Sequence, residues 1–97
     1  MILSFANSGT EDIFNGIHSK AARATCPENI WNVAVRKLDQ IHQAFDLRDL
    51  SVPPGNRLEP LAGDRSGQHS IRINERYRVC FCFTPLGVTE VEIVDYH

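Results

Sequence analysis

The period of the apolar residues changes once along this chain, and that change constrains the fold more than any other feature. Ile30, Val33, Ala34, Leu38, Ile41 and Phe45 recur at helical spacing, which puts them on one stripe of an amphipathic helix ending near Ala44. Arg36, Lys37, Asp39, Gln40 and Gln43 fall mostly off the stripe and are expected to face water, as is His42. After Gly63-Asp64-Arg65-Ser66-Gly67 the period becomes two. His69 to Asn74 alternates, and Tyr77 to Phe83 alternates more strictly. Successive residues of a strand point to opposite faces, so Tyr77, Val79, Phe81 and Phe83 share one face and Arg78, Cys80 and Cys82 the other. Asn74-Glu75-Arg76 and Pro85-Leu86-Gly87 read as hairpin turns, with Val88 to Val94 as the last strand. Helices followed by a three-stranded antiparallel meander predict an α+β domain with its helices packed on one sheet face.

The remaining segments fit around this frame. Ile2-Leu3-Ser4-Phe5 is compatible with a short first strand. Ser8-Gly9-Thr10-Glu11 has the pattern of a capping box opening a short helix, with Ile13, Phe14 and Ile17 on one face and Gly16 at its frayed end. Thr25-Cys26-Pro27-Glu28 has the same pattern ahead of the long helix, with proline in the first turn. Residues 46–60 read as a surface loop, broken most strongly at Pro53-Pro54-Gly55-Asn56. Ninety-seven residues suit one domain spanning 1–97. No apolar run approaches the roughly 20 residues of a membrane span. The N-terminus lacks the basic and apolar regions of a secretion signal. Three cysteines, Cys26, Cys80 and Cys82, make no disulfide framework, so a reducing cytoplasm is expected.

The formal net charge of −2 argues against a protein that simply coats nucleic acid, but the charge is unevenly placed. Between positions 57 and 78 stand Arg57, Arg65, Arg72, Arg76 and Arg78, with Glu59, Asp64 and Glu75 and no lysine. The planar guanidinium fork matches phosphate oxygens, so these arginines on a strand meander suit a phosphodiester backbone. They are equally suited to ordinary surface ion pairs, and composition leaves both readings open. Asp95-Tyr96-His97 is the second feature. Imidazole exchanges protons near neutral pH, and a carboxylate at the end of the given sequence would favour its protonated form. A histidine in that position is also commonly frayed and inert. Cys80-x-Cys82 lacks further ligands at zinc-site spacing, His18, His42 and His69 form no ligand pattern, and no glycine-rich loop opens a helix. Neither a metal nor another cofactor is expected.

Leu58 to Arg65, Ser70-Ile71, Tyr77 to Phe81 and Glu92 to His97 together resemble the HigB toxins of the RelE-like superfamily, from bacterial type II toxin–antitoxin systems. The resemblance runs over essentially the whole chain, with Arg48-Asp49-Leu50, Pro53 to Glu59 and His69 to Arg72 placing it near one branch. It implies the RelE-like fold and a metal-independent endoribonuclease that cuts mRNA on translating ribosomes in the bacterial cytoplasm. It also implies a helix-turn-helix HigA-type antitoxin as partner, and operator DNA bound through the toxin–antitoxin complex. Carried over by position, the resemblance assigns transition-state charge to Arg78, nucleotide orientation or proton transfer to Tyr96, acid or base to His97, and support of the terminal segment to Asp95. Arg57, Arg65, Arg72 and Arg76 are implied to bind RNA phosphate. Two positions depart from relatives: Ala62 replaces a lysine and Glu59 a histidine. Either Arg57 and Arg72 supply the missing charge, or the protein is a weak or inactive toxin-fold module that acts with its antitoxin as a co-repressor.

Overall fold

The computed structural model describes residues 1–96; His97 lies outside the described residues. Three α-helices come first, α1 (Ser8–Phe14), α2 (Lys20–Thr25) and α3 (Trp31–Gln43). An antiparallel sheet follows in simple sequential order: β1 (Glu59–Pro60), β2 (His69–Arg72), β3 (Tyr77–Thr84) and β4 (Gly87–Asp95). The α+β architecture expected from the two periods is present. It holds one more strand and one more helix than the expected meander and helix pair. β1 pairs Glu59 with Ser70 and Pro60 with His69, and Leu61 N–H donates to the Gln68 carbonyl at 2.9 Å to close the turn. Two residues ending in proline carry no alternation, so this strand has no sequence period to reveal it.

α3 buries Trp31, Ala34, Leu38 and Ile41 against Ile71 and Ile73 of β2, Val79 and Phe81 of β3, and Val88, Val91 and Ile93 of β4. Phe45 continues the helical spacing but is 97% exposed, because Ala44 turns to an extended ψ of 134° and ends the helix first. His42 does not face solvent freely. Its Nδ1 accepts from Ile2 N–H at 3.0 Å, and its ring lies 5.5 Å from that of Phe14. Lys37 and Gln40, also expected in water, instead bond to Asn56. The 46–60 segment is built from short 3-10 turns at Leu47–Ser51 and Pro54–Asn56, with Leu50 and Asn56 fully buried.

The helix starts differ from those the capping pattern suggested. Asn7 caps α1, its side chain accepting from Thr10 N–H at 2.8 Å, and Ser8 is already helical. Ile17 lies beyond that helix and is half exposed. α2 has no apolar stripe to announce it; Ser19 caps it and also donates to Asp12 at 2.6 Å. Thr25 ends α2 and returns its hydroxyl to the Ala21 carbonyl at 2.8 Å, so it caps nothing downstream.

The N-terminal segment is extended as expected, but it joins by two isolated parallel bridges, Ile2 to Val88 and Phe5 to Val91, along the free edge of β4. Opposite, β4 holds one extra residue between its pairings with Cys80 and Cys82, and Glu90 takes a left-handed φ of 57° there. That bulge resets the alternation, so Val88 and Val91 both reach the core although three positions separate them.

Candidate functional site

Alternation that sends Ile71, Val79 and Ile93 into the core sends Ser70, Arg72, Arg78 and Cys80 to the opposite sheet face. Arg72 pairs with Arg78 and Arg78 with Val94; one step along, Glu59, Ser70, Cys80 and Glu92 form the adjoining row. This face is not simply solvated, since Ser70 and Cys80 are fully buried and Arg78 is nearly so. Burial raises the Cys80 thiol pKa, partly opposed by the Arg65 charge. The Cys80 sulfur therefore behaves as a small buried group, whereas Cys82 is only partly buried.

Arg78 is held along one edge of its guanidinium. Nε donates to Ser70 Oγ at 2.8 Å, and Nη2 donates to the Arg57 carbonyl at 2.6 Å and more weakly to the Ser70 carbonyl at 3.4 Å. Glu59 Oε1 lies 3.6 Å from Nη2. Nη1 has no hydrogen-bond acceptor among the described residues. The Tyr96 ring lies 5.9 Å from the guanidinium carbon, so the aromatic face and the cation border the same space. A shallow cleft of about 290 Å³ opens there, lined by Arg57, Arg72, Arg78, Glu59, Glu75, Asn74 and Tyr96. Three guanidinium groups against two carboxylates leave it cationic within an acidic chain.

The other two arginines of the 57–78 cluster are engaged in ion pairs. Arg65 bonds to Glu92 at 3.1 Å and to Gln68 at 3.0 Å. Burial disfavours its charge, but the hydrogen bond to Glu92 and neighbouring negative charges outweigh this and raise its pKa. Arg76 clamps Asp95 through two contacts at 2.7 and 3.0 Å, and the hydrogen bond raises its pKa. Tyr96 N–H also donates to the Arg76 carbonyl at 2.6 Å. The turn after β2 and the end of β4 are thereby clipped together, which sets Tyr96 at the cleft. Arg65 and Arg76 are thus each closed by a short ion pair, whereas Arg78 meets Glu59 only at 3.6 Å.

Sequence reasoning passed over two participants. Ser70 shares the strand parity of Arg72, a signal that could have flagged it. Asn56 sits in a turn pattern that gives no sign of a site, yet it is completely buried and bonded to four groups. Among the described residues no cluster of His, Cys, Asp or Glu is placed to hold a metal ion, and no helix is long and apolar enough to cross a membrane.

Comparison with known proteins adds relatives to this geometry. Residues 3–97 match the family model for HigB-like toxins, described as RelE-like toxins of the type II toxin–antitoxin system HigB. Toxin HigB-1 of Vibrio cholerae is 46% identical over 71 residues, covering 73% of this chain and 74% of that protein. An uncharacterized Haemophilus influenzae protein is 37% identical over 68 residues, covering 70% of this chain and 62% of its own length. Among solved structures, the YoeB–YefM complex from Staphylococcus aureus aligns with a TM-score of 0.53 at 13% identity, covering 100% of this chain and 98% of the other. That likeness is one of fold.

Proposed function

Because the chain belongs to the HigB-like family of RelE-like toxins from type II toxin–antitoxin systems, we propose that it is an endoribonuclease that cleaves mRNA on translating ribosomes in the bacterial cytoplasm. A HigA-type helix-turn-helix antitoxin is its proposed neutralising partner, and the pair is proposed to bind operator DNA through the antitoxin. The observation that carries the enzymatic reading is the Arg78 guanidinium, tethered on one edge and left with Nη1 unclaimed among the described residues beside Arg57, Arg72 and Tyr96.

The chemistry this suits is attack of a ribose 2′-OH on the adjacent phosphorus, with the 5′-oxygen leaving and a 2′,3′-cyclic phosphate remaining. The 2′-hydroxyl must lose a proton, the leaving oxygen must gain one, and the pentacoordinate phosphorus needs positive charge beside its oxygens. Arg78 is assigned that charge because its fixed fork needs no reorganisation as the reaction proceeds. Arg57 and Arg72 are assigned to the flanking phosphates and would replace the cation absent at Ala62. Tyr96 orients the nucleotide by its ring or relays a proton through its hydroxyl. His97, outside the described residues, is the proposed acid or base. Asp95 acts through Arg76, holding the terminal segment at the cleft. Arg65 and Arg76 belong to the frame of the site, their charges being already answered by Glu92 and Asp95.

One observation favours the second reading, a module that binds its antitoxin without cleaving. Glu59 stands 3.6 Å from Arg78 and competes with a phosphate for it. Induction without an antitoxin separates the two. Growth arrest with defined in-frame mRNA ends bearing cyclic phosphates supports the enzyme; normal growth with intact transcripts supports the module.

A further inference from the structure

The carbonyl that fastens Arg78 belongs to a residue in a costly conformation. Arg57 has φ 48° and ψ 53°, the left-handed region, which a residue with a Cβ occupies only when its surroundings hold it there. Those surroundings are centred on Asn56. Its Nδ2 donates to Gln40 Oε1 at 3.0 Å, to the Leu50 carbonyl at 3.1 Å and, at longer range, to the Val52 carbonyl at 3.4 Å. Its Oδ1 accepts from Lys37 Nζ at 2.6 Å. The main chain closes the turn as well, with Asn56 N–H to the Pro53 carbonyl at 3.0 Å and Arg57 N–H to the Pro54 carbonyl at 3.1 Å.

Lys37 and Gln40 both project from α3, the most regular element of the molecule. Burial, and next the Arg36 charge, lowers the Lys37 pKa, so the ammonium is held at Asn56 against its own desolvation. A continuous path therefore runs from the helix through a buried side-chain amide to a left-handed main-chain carbonyl, and from there to Nη2 of Arg78.

We propose that Asn56, clasped to α3 by Lys37 and Gln40, is a positioning residue for Arg78: it locks the Arg57 turn so that the Arg57 carbonyl and Ser70 together fix one edge of the guanidinium and reserve Nη1 for the substrate. Arg57 would then serve the cleft twice, by its side chain and, independently, by its main chain. The catalytic consequence rests on the ribonuclease reading above, while the structural consequence does not. A fork fixed along one edge loses little orientational entropy on meeting a phosphate, and small displacements of such a group lower the maximal rate more than they weaken binding.

The test uses the full chain and reads Arg78 directly through hydrogen exchange of its side-chain Nε–H by NMR, alongside steady-state cleavage on programmed ribosomes. Lys37→Met leaves the Asn56 carbonyl oxygen without its donor and keeps the aliphatic stem. It is expected to speed Arg78 Nε–H exchange by about tenfold and to lower the maximal cleavage rate by a similar factor, with the half-saturating ribosome concentration changed less than about twofold. Lys37→Arg, which retains a cationic donor, should recover most of both. Asn56→Asp keeps the acceptor for Lys37 but loses the Nδ2 donors, and should behave like Lys37→Met. Asn56→Ala removes every side-chain bond of that residue; should it fail to fold, the Lys37 pair still decides the matter. A folded Lys37→Met protein with unchanged Arg78 exchange overturns the proposal. Faster exchange in Lys37→Met, with a wild-type chain that itself cuts no RNA, upholds the positioning and removes the ribonuclease reading. Cleavage with unaltered exchange does the reverse.

Discussion

Phe81 and Arg78 stand on the same strand with exposures of 0% and 9%, yet burial means different things for them. Phe81 belongs to the face where aliphatic rows from β2, β3 and β4 meet α3, and its neighbours need only fill space. Arg78 belongs to the face where each polar atom withdrawn from water needs a named partner, and Ser70 and the Arg57 carbonyl supply them. The first face holds the fold together through contacts that many apolar side chains could make. The second holds one cation in one orientation through contacts that few could. Substitutions on the two faces should therefore separate stability from activity.

The largest effect is expected from Phe81→Ala, which should lower unfolding free energy by about 3–5 kcal/mol, read as a fall in the urea midpoint. A small shift there would mean that the core face is not the main source of stability. Arg78→Ala should cut the RNA cleavage rate by about 10²–10³-fold. Its stability cost should stay near 1–2 kcal/mol, since the partners left behind border an open cleft that water can enter. A midpoint shift as large as that of Phe81→Ala would erase the distinction between the faces. Arg57→Ala and Arg72→Ala should each lower cleavage by about ten- to a hundredfold, the value of one charged hydrogen bond made in the transition state. Unchanged growth arrest and mRNA cutting in both would exclude them as the source of compensating charge.

The thiols sharpen the comparison in another way. Cys26 lies in the core, where burial pushes its pKa up from 9.0 to about 11, slightly opposed by Trp31. The folded state disfavours the thiolate, so this contribution to stability is intact below pH 9 and is lost as pH rises toward about 11. Melting followed across that range should show a loss on the order of 2 kcal/mol that Cys26→Ala flattens. Cys80→Ala should flatten it less, because Arg65 and Arg78 pull that thiol back down. Arg76→Ala is expected to have the smallest effect on stability, with little change in the urea midpoint, because its pair with Asp95 is solvent-exposed and screened. A cleavage loss equal to that of Arg57→Ala would move Arg76 from the frame of the cleft into its phosphate-binding set.

Much of this arrangement was legible in residue order. Alternation from Tyr77 onward placed Arg78 opposite the core residues, and the helical stripe placed Leu38 and Ile41 inside, because both patterns depend only on local backbone geometry. The same patterns erred where the chain departs from a regular period. Phe45 kept the spacing after the helix had ended, and in β4, for which residue order had assigned no faces, the phase changes at Glu90. The division of the arginines was not legible at all. Arg65 and Arg76 look like Arg57 and Arg72 in sequence, and only their distances to Glu92 and Asp95 distinguish them.

By itself, then, the sequence determined the α+β order, the apolar face of the sheet and the placement of Arg78 on the opposite face, since each follows from short-range spacing. Only the tertiary structure decided that Arg65 and Arg76 are closed by ion pairs, that β1 exists, and that Asn56 and a left-handed Arg57 carry a carbonyl to Arg78. Those outcomes depend on groups brought together from distant positions, Lys37 with Asn56 and Arg57 with Arg78. Such pairings are selected by what remains unsatisfied when water is withdrawn, and no local period records that.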